Sequence, residues 1–346
     1  MNASFEVKNL IIVLIPFLVS FLGTFVVKKI ALHVNAMDIP NERKVHKTPI
    51  PRLGGLAIFA AFLVGYILFG TISTQMISIL IGGFIIILTG IVDDIKPIPA
   101  KVKFLFQALA AITVVVYGKL YFNDITFIGL TFNFPVYINM FLSVFFILGI
   151  VNAINFIDGL DGLASGISSI YFLTISIIAI VLNRLGGLDV ILALIMLGAT
   201  LGFLEHNFPP AKIFMGDTGS MFLGFMISII ALLGYKVATI TSLIVPLLLL
   251  FIPIIDTLLA IIRRILKHES IGKPDKDHLH HQLLRMTSSQ TKTVLIIYVI
   301  NIVFSAITIL YILKDNTLAM ILYSLVMILF IILIAKTNIL FKHKEK

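Results

Sequence analysis

Asn152-Ala-Ile-Asn-Phe-Ile-Asp-Gly-Leu-Asp-Gly-Leu163 decides the fold, because its two amides and two carboxylates run directly out of an apolar segment long enough to lie in a membrane. A polar group without a partner at that depth costs roughly 2 to 7 kcal/mol. Such groups are therefore kept only where they find partners or a ligand. The rest of the chain should therefore show either partners for these four side chains or a site for a ligand.

The composition narrows the class of protein. Of the 346 residues, 59% are hydrophobic and 12% are charged, and the apolar residues form long runs instead of amphipathic stripes. This pattern predicts a single helical membrane domain over residues 1–346. The absence of cysteine excludes disulfides, thiolate chemistry and Cys-ligated metals.

Apolar runs of about 17 to 25 residues, the length that crosses about 30 Å of hydrocarbon, recur along the whole chain. They predict an all-α integral membrane protein with about eleven transmembrane helices. The first run is followed by Lys28-Lys29 and has no small-residue cleavage site, so it is interpreted as a retained helix and not as a signal peptide. The predicted spans are 10–30, 54–70, 76–92, 104–120, 139–157, 166–183, 190–206, 219–235, 240–262, 293–313 and 317–336.

Basic residues set the predicted orientation, because cytoplasmic loops carry the excess of Lys and Arg. Only Lys8, Lys119, Arg184, Lys236 and Lys314 fall on the other side. The N-terminus is then outside and the C-terminus cytoplasmic. The net charge of +9 thus marks topology first, and no nucleic-acid partner is expected. The predicted cytoplasmic loops are about 28–53, 93–103, 152–166, 205–218 and 263–292.

One outward connection, 118–138, alternates enough to predict a small β-hairpin. No internal repeat is visible, which weighs against a transporter built from duplicated halves.

Asp93-Asp94 ends the third span. The dipole at a helix C-terminus disfavours anions by roughly 0.3 to 1 kcal/mol each, so a cation should offset these carboxylates. Lys96, Lys101 and Lys103 are near in sequence, and a divalent metal would serve better. The alternative is a helix stop with solvated charges.

The opening motif lies at the end of the fifth span. Its three-residue spacing keeps Asn152, Asn155, Asp158 and Asp161 near one side of a helical turn, and amide and carboxylate oxygens suit a hard cation such as Mg²⁺. The alternative, helix-to-helix packing, fits Asn152 better than it fits the whole set.

The third constellation is Glu205-His-Asn-Phe-Pro-Pro-Ala-Lys-Ile-Phe-Met-Gly-Asp-Thr-Gly-Ser220, which leads into a helix. Asp217 and Thr218 begin that helix, either as a plain N-cap or as part of a phosphate site. Phe214 is either a loop anchor or a stacking surface for a planar base.

The fourth constellation is the loop 263–292, with Asp277-His-Leu-His-His-Gln282 and Arg263-Arg264. The histidines could ligate zinc or donate to phosphate, and the basic neighbours favour an anionic substrate; a merely solvated basic loop is the alternative. Asp256 lies within the ninth span, where an Arg could pair with it, and its role stays open.

The helix C-termini bring oxygen ligands for a cation, while the helix N-terminus and the basic loop bring donors for an anion. Together they predict metal-assisted phosphoryl transfer at a membrane surface. One substrate should be a soluble phosphate ester and the other a lipid. A transporter or a membrane scaffold is the rival class.

These motifs, in this order, resemble the polyprenyl-phosphate N-acetylhexosamine-1-phosphate transferases, the superfamily that includes phospho-MurNAc-pentapeptide translocase. The resemblance runs from about Asp38 to Leu284. It implies a multi-pass enzyme of the bacterial cytoplasmic membrane that moves a sugar 1-phosphate from a UDP-N-acetylhexosamine to undecaprenyl phosphate in the lipid bilayer and releases UMP. The resemblance does not decide whether the protein forms a homodimer. The motifs are Arg43-Lys-Val-His-Lys-Thr-Pro with Gly54-Gly55, Val92-Asp-Asp, Asn-x-x-Asn-x-x-Asp-Gly-x-Asp-Gly, Phe214-Met-Gly-Asp-Thr-Gly and His278-Leu-His-His.

The resemblance also implies roles for single residues. Asp217, with Asn155 second, would bind Mg²⁺, which Mn²⁺ could replace. Asp93 would deprotonate or orient the lipid phosphate with the support of Asp94, and Lys103 would reach the diphosphate. Phe214 would stack on uracil near Asp161 and Asn207, while Asp158 orders the turn. The sugar or diphosphate would be held by His278, His280 and His281, and further substrate contacts would come from Lys47, Arg263 and Arg264.

The histidine loop departs from the translocase branch, which resembles three consecutive histidines followed by Phe-Glu. Here Asp277-His-Leu-His-His-Gln282 resembles the branch that begins teichoic acid, O-antigen or common-antigen synthesis. UDP-GlcNAc is therefore the expected donor, with the peptide-bearing donor as the alternative. Direct attack by the lipid phosphate is favoured over a covalent Asp93 intermediate.

Overall fold

The computed structural model of the chain describes residues 3–40, 48–127, 130–182, 184, 186–236, 244–266, 278–313 and 316–336. Of these described residues, 80% are helical. The helices are α1 Ala3–His33, α2 Gly55–Phe69, α3 Thr74–Ile95, α4 Ala100–Ile112 (continued by a π-helical turn, Thr113–Tyr117), α5 Val136–Ile157, α6 Leu163–Val181, α7 Leu188–Asn207, α8 Gly216–Lys236, α9 Ile244–Leu249, α10 Phe251–Leu266, α11 Leu279–Thr287, α12 Gln290–Leu313 and α13 Asn316–Lys336.

Eight helices in the described part of the chain are long and apolar enough to cross a membrane, and two shorter apolar helices, Gly55–Phe69 and Thr317–Leu329, accompany them. The prediction of an all-α integral membrane protein is therefore confirmed. The number of eleven spans and the orientation stay predictions.

The ninth predicted span, 240–262, differs from the structure. Its described part consists of two helices, α9 and α10, which meet at Leu250. Pro253 explains the break, because proline has no N–H to donate and its ring collides with the carbonyl four residues earlier. The second helix also continues to Leu266, so Arg263 and Arg264 are helical and not part of a loop.

Two short antiparallel ribbons complete the fold. Strands β3 (Ile125–Phe127) and β4 (Leu130–Phe132) pair with Thr126 opposite Thr131, so the hairpin predicted within 118–138 is confirmed, while the side of the membrane on which it lies stays a prediction. Strands β1 (Met37–Asp38) and β2 (Ile50–Pro51) pair before α2. This second ribbon brings the segment after β2 to the start of α8, because Phe214 N–H donates to Pro51 O and Gly54 N–H donates to Phe214 O.

Helix α8 is the centre of the bundle. It packs against α2, α3, α5 and α7, and 94% of its most apolar part is buried, compared with 28% for α1. Its N-terminus lies where α3 and α5 end and where α4 begins. The core thus fixes the position of four helix ends that carry polar side chains.

Candidate active site

Asp94, in the last turn of α3, accepts the hydrogen bonds that begin α8. Its Oδ1 accepts from Asp217 N–H at 2.9 Å, and its Oδ2 accepts from Thr218 N–H at 3.0 Å and from Thr218 Oγ1 at 2.7 Å. The first N–H groups of a helix have no partner within the helix and attract anions. The carboxylate that caps α8 is therefore Asp94, and the N–H groups of Asp217 and Thr218 are already bound.

Glycines permit this close approach of α3 to the start of α8. A side chain at Gly90 would overlap the backbone of Thr218, and one at Gly216 would overlap the Asp94 carboxylate. Gly216 also has a φ of 71°, a left-handed conformation that glycine adopts without strain. The Gly-Asp-Thr sequence therefore places two backbone N–H groups directly on Asp94.

Lys103 joins two carboxylates at this point. Its Nζ lies 2.7 Å from Asp93 Oδ2 and 2.7 Å from Asp217 Oδ2. Asp93 Oδ1 accepts from Ile98 N–H at 2.9 Å, so both of its oxygens are bound. Asp93 and Asp94 are each 5% exposed, which shows that the solvated helix stop is the wrong interpretation.

Arg52 supplies a second cation from the segment after β2. Its guanidinium lies 3.0 Å from Asp94 Oδ1, 3.6 Å from Asp217 Oδ1 and 3.5 Å from Asp38 Oδ1. Burial opposes the charged form, but the surrounding carboxylates, Asp94 first, raise the pKa of Arg52 overall. Arg52 thus stays charged and ties the N-terminal segment to the start of α8.

Asp93, Asp94 and Asp217 form a group that fits a divalent cation. One oxygen from each lies within 4.8 Å of the others, and carboxylate oxygens are the ligands that Mg²⁺ prefers. Asp94 is committed to the helix start, whereas Asp217 has 17% of its side chain exposed. Of the three, Asp217 is the carboxylate placed to share a cation with a ligand.

The opening motif reaches the same helix start. Asn155 Nδ2 donates to Ser220 Oγ at 2.8 Å, and Asn155 also lines the cavity described below. Asn152 Nδ2 donates to Gln107 Oε1 at 2.9 Å and so joins α5 to α4. Within one motif, Asn152 packs helices while Asn155 lies beside the first turn of α8.

The turn after α5 is held from three directions. Asp161 Oδ2 accepts from Ala211 N–H at 2.9 Å. Asn207 Oδ1 accepts from Gly162 N–H at 3.1 Å, and its Nδ2 donates to Ile213 O at 3.0 Å. The Tyr298 hydroxyl donates to Gly162 O. Asp161 and Asn207 therefore bind the protein itself and fix the cavity wall.

A cavity of about 400 Å³ opens at these helix ends. Most of its lining comes from the third and opening motifs. Four of its lining side chains are carboxylates, and Arg52 is the permanent cation among those described. The lining residues are Asp38, Arg52, Asn155, Asp158, Gly159, Leu160, Asp161, Asn207, Phe214, Met215, Gly216, Asp217, His281 and Gln290.

Asp158 and His281, which also line the cavity, have shifted pKa values. Burial, with a contribution from Asp217, raises the pKa of Asp158 to about 8, although part of its surface remains accessible from the cavity. Burial and the neighbouring His280 and His278 lower the pKa of His281 to about 4. At neutral pH, His281 is thus neutral and Asp158 holds its proton in the cation-free site.

The histidine segment begins at α11 and is largely buried. His278 is 7% exposed and His280 is 1% exposed, so the solvated basic loop is the wrong interpretation for these residues. Arg263 and Arg264 are 3% and 5% exposed, and the Arg264 guanidinium lies 6.0 Å from the centre of the Phe156 ring. Among the described residues of this segment, His281 is the histidine that lines the cavity.

The structure brings most of the predicted site residues together. Asn155, Asp158, Asp161, Asn207, Phe214, Asp217 and His281 line the cavity, and Asp93, Asp94 and Lys103 lie directly behind Asp217. Arg263, Arg264, His278 and His280 are not among the lining residues. Lys47 lies outside the described residues, and the ring of Phe214 is left open as an anchor or a stacking surface.

Sequence reasoning missed the contributions of Asp38 and Arg52. Asp38 and Arg52 are ordinary charged residues beside the quoted motifs, and only the pairing of β1 with β2 brings them to α8. Asp256 accepts from Leu279 N–H at 2.7 Å. The sequence did single out Asp256, because a carboxylate within an apolar span needs donors, but it did not identify Leu279 and His280 as those donors.

The fold and this site define a polytopic membrane protein whose gathered helix ends carry a carboxylate cluster suited to a cation and a phosphate-bearing ligand.

The sequence pattern described as "Glycosyl transferase family 4" matches residues 76–235. A Bacillus subtilis (strain 168) protein, "Probable undecaprenyl-phosphate N-acetylglucosaminyl 1-phosphate transferase", is 44% identical over 347 residues, which cover 98% of this chain and 96% of the relative. The chain belongs to glycosyl transferase family 4.

Two more distant relatives agree with this membership. "Decaprenyl-phosphate N-acetylglucosaminephosphotransferase" of Mycobacterium tuberculosis (strain ATCC 25618 / H37Rv) is 35% identical over 81% of this chain and 77% of its own length. "Undecaprenyl-phosphate alpha-N-acetylglucosaminyl 1-phosphate transferase" of Escherichia coli (strain K12) is 27% identical over 78% of this chain and 74% of its own length.

Proposed function

We propose that the protein transfers N-acetylglucosamine 1-phosphate from UDP-N-acetylglucosamine to undecaprenyl phosphate, with Mg²⁺ as cofactor and UMP as the second product. The similarity to the Bacillus subtilis relative over 98% of the chain supports the sugar phosphate and the lipid acceptor. The lipid diphosphate-sugar would initiate a cell-envelope glycan of the teichoic-acid or O-antigen type.

One observation carries the proposal for the chemistry. Asp93, Asp94 and Asp217 offer oxygens within 4.8 Å of one another, and Lys103 bridges two of them at 2.7 Å. The cluster adjoins a cavity of about 400 Å³. A soluble, phosphate-bearing substrate in that cavity would meet Asp217 directly, with the Lys103 ammonium group close behind it.

The charge of the cavity supports a metal requirement. Even without Asp158, which holds its proton at neutral pH, three carboxylates (Asp38, Asp161 and Asp217) line it against the cation of Arg52, and an anionic diphosphate would be repelled by this excess. Asp217 and Asn155 would hold Mg²⁺, and Mn²⁺ could replace it. When bound, the metal neutralises the diphosphate and stabilises the leaving UMP.

The remaining groups position the reactants. The Lys103 ammonium group would exchange its contact with Asp217 for one with the diphosphate. It would keep its contact with Asp93, which holds it near the substrate. An oxygen of the lipid phosphate attacks the sugar-bearing phosphorus, a new P–O bond forms, and the bond to the UMP oxygen breaks. Both oxygens of Asp93 are hydrogen-bonded, which supports direct attack over a covalent intermediate on Asp93.

The proposal also includes the finer features expected from the sequence. These are a single transferase domain over residues 1–346 with about eleven spans, an outside N-terminus, a site on the cytoplasmic side of a bacterial cytoplasmic membrane, and a homodimer as the assembly to test. The exposed apolar faces of α4 and α5 suit contact with lipid.

The test uses protein purified in detergent, undecaprenyl phosphate, Mg²⁺ and a panel of UDP-sugars, with UMP release as the readout. Release with UDP-GlcNAc, lost on chelation and restored by Mg²⁺ or Mn²⁺, is expected. No release with any sugar would overturn the enzyme proposal. Release only with the MurNAc-pentapeptide donor would move the protein to the translocase branch, and a phosphorylated Asp93 trapped with UDP-sugar alone would overturn direct attack.

A further inference from the structure

Asp256, in α10, is a buried carboxylate that the proposed chemistry does not use. Its Oδ1 accepts from Leu279 N–H at 2.7 Å. Its Oδ2 lies 3.2 Å from His280 Nδ1 and 3.3 Å from His278 Nδ1. Asp256 is 1% exposed, so one backbone N–H and the His280 imidazole contact a carboxylate that water barely reaches, with the His278 ring close by.

The contact with Leu279 fixes the start of a helix. Leu279 is the first residue of α11, and its N–H is one of those that have no partner within the helix. Asp94 does the same for α8 with the N–H groups of Asp217 and Thr218. In both cases an aspartate on another helix holds the start of a helix that carries site residues.

The contact with the His280 imidazole orients that ring and fixes which nitrogen donates. An ionised carboxylate only accepts hydrogen bonds, so Nδ1 of His280 carries the N–H that faces Asp256. The Nε2 of His280 is then the free position. It is buried and has no hydrogen-bond partner in the part of the chain that the structure describes.

The free nitrogen of His280 lies against the turn that forms the cavity wall. A side chain at Gly159 would overlap Nε2, and Gly159 itself lines the cavity together with His281. Glycine at position 159 therefore allows His280 Nε2 to lie directly against the turn between Asp158 and Asp161.

We infer that Asp256 is a positioning residue for the transfer: it holds the start of α11 and orients His280 so that Nε2 faces the Asp158–Asp161 turn. Through this turn and His281, it sets the surface that meets the phosphate-bearing end of the donor. The inference rests on the proposed function. Removing a group that orients a metal-binding imidazole in this way lowers activity or metal affinity about 10- to 100-fold. We expect a loss of activity of similar size here.

The first measurement does not depend on turnover. The protein is labelled with ¹⁵N-histidine, and the His280 signals are assigned by their loss in His280→Gln. In the wild type, a protonated Nδ1 is expected. In Asp256→Asn, the amide can keep the Leu279 contact through its oxygen but presents N–H to the rings, so the His280 proton should move to Nε2. An unchanged protonated Nδ1 in Asp256→Asn would overturn the inference.

The second measurement is steady-state UMP release. For Asp256→Asn we expect kcat to fall at least about tenfold, with the KM for undecaprenyl phosphate within about twofold. In the His280→Gln background, Asp256→Asn should have almost no further effect, because the residue that it orients is already gone. Full additivity of the two losses would overturn the inference, as would wild-type kcat in Asp256→Asn.

Two variants separate positioning from folding. Thr257→Val removes the neighbouring hydroxyl, which donates to Pro253 O at 2.9 Å and has no part in the proposal, so it should keep wild-type kcat. Asp256→Glu retains the carboxylate and should recover part of the kcat and the protonated Nδ1 of His280. An Asp256→Glu protein that is folded but no better than Asp256→Asn on both readouts would overturn the inference. Absence of UMP release by the wild type would refute the proposed function, while the ¹⁵N result would still report on the orientation of His280.

Discussion

Lys103 and Asp217 form an ion pair of 2.7 Å across 114 positions of sequence. The same ammonium group lies 2.7 Å from Asp93 Oδ2, so Lys103 bridges a carboxylate of α3 and a carboxylate of α8 and offsets part of their charge. A divalent cation on Asp217 would have to share this place with Lys103. The pair thus makes metal binding and the position of Lys103 interdependent.

The first prediction is that Lys103→Met strengthens metal binding while it weakens catalysis. Without the ammonium group, Asp93 and Asp217 lose their shortest ion pair, with Arg52 left 3.6 Å from Asp217, and one nearby positive charge no longer repels the metal. Affinity for Mn²⁺ without nucleotide, measured by electron paramagnetic resonance, should rise at least about tenfold. UMP release should fall by on the order of 100-fold, because the diphosphate loses a charged donor.

Lys101→Met is the matched control for Lys103. It removes the same type of side chain from the same end of α4, where Lys101 is exposed, and it should leave Mn²⁺ affinity within about twofold of the wild type. Weaker Mn²⁺ binding in Lys103→Met would contradict the competition between ammonium and metal.

A second prediction concerns Asp217→Asn. The amide lacks the charge that a metal ligand needs here, so Mn²⁺ affinity and Mg²⁺-dependent UMP release should each fall by on the order of 100-fold or more. The protein should remain folded, because Asp94 keeps its hydrogen bonds to the backbone of Asp217 and Thr218.

Asp124→Asn, next to the hairpin at the other end of the bundle, controls for the loss of an aspartate in general. It should leave both quantities at wild-type values. Retained Mg²⁺-dependent turnover in Asp217→Asn would refute the assignment of Asp217 to the metal.

The helix ends of this site could be predicted from the sequence because each constellation carries its own local signal. Apolar runs of membrane length predict the helices, and polar residues that follow them predict where the helices end. Asp93, Asn155 and Asp217 were found in this way. Asp94 was found too, although its task of holding the start of α8 depends on a contact across 124 positions.

Contacts between elements far apart in sequence were beyond such reasoning. Arg52 approaches Asp217 only because β1 pairs with β2 and the next segment hydrogen-bonds to Phe214. Asp256 faces the histidines only because α10 runs past the start of α11. Neither pairing leaves a periodic pattern in the sequence, so neither partner could be identified there.

The third prediction follows from the dual contacts of Asp94. Asp94→Ala removes three hydrogen bonds from the start of α8 and leaves Arg52 with less compensation, so it should lower the free energy of unfolding by at least about 2 kcal/mol. Thermal unfolding in detergent should show a lower midpoint. Asp94→Asn, which keeps one acceptor oxygen, should lose less, and an equal loss in both variants would contradict the capping role.

The last prediction uses the pH dependence of stability in the presence of a chelator. The pKa of Asp158 rises from 3.8 to about 8 on folding, chiefly because of burial and then because of Asp217. Between these values the folded protein holds a proton that the unfolded chain has lost, so stability falls as pH rises through the window. Asp158→Asn cannot titrate, and its thermal midpoint should exceed that of the wild type by a margin that grows toward pH 8.

The comparison is best made above pH 6.5, because His281 acts in the opposite sense below it. The folded pKa of His281 is lowered from 6.5 to about 4, so its stabilising contribution is lost as pH falls, whereas that of Asp158 is lost as pH rises. Asp124→Asn should follow the wild-type profile. Parallel profiles for the wild type and Asp158→Asn between pH 6.5 and pH 8 would contradict the raised pKa. Added Mg²⁺ should reduce the difference, since a cation near Asp217 favours the ionised form of Asp158.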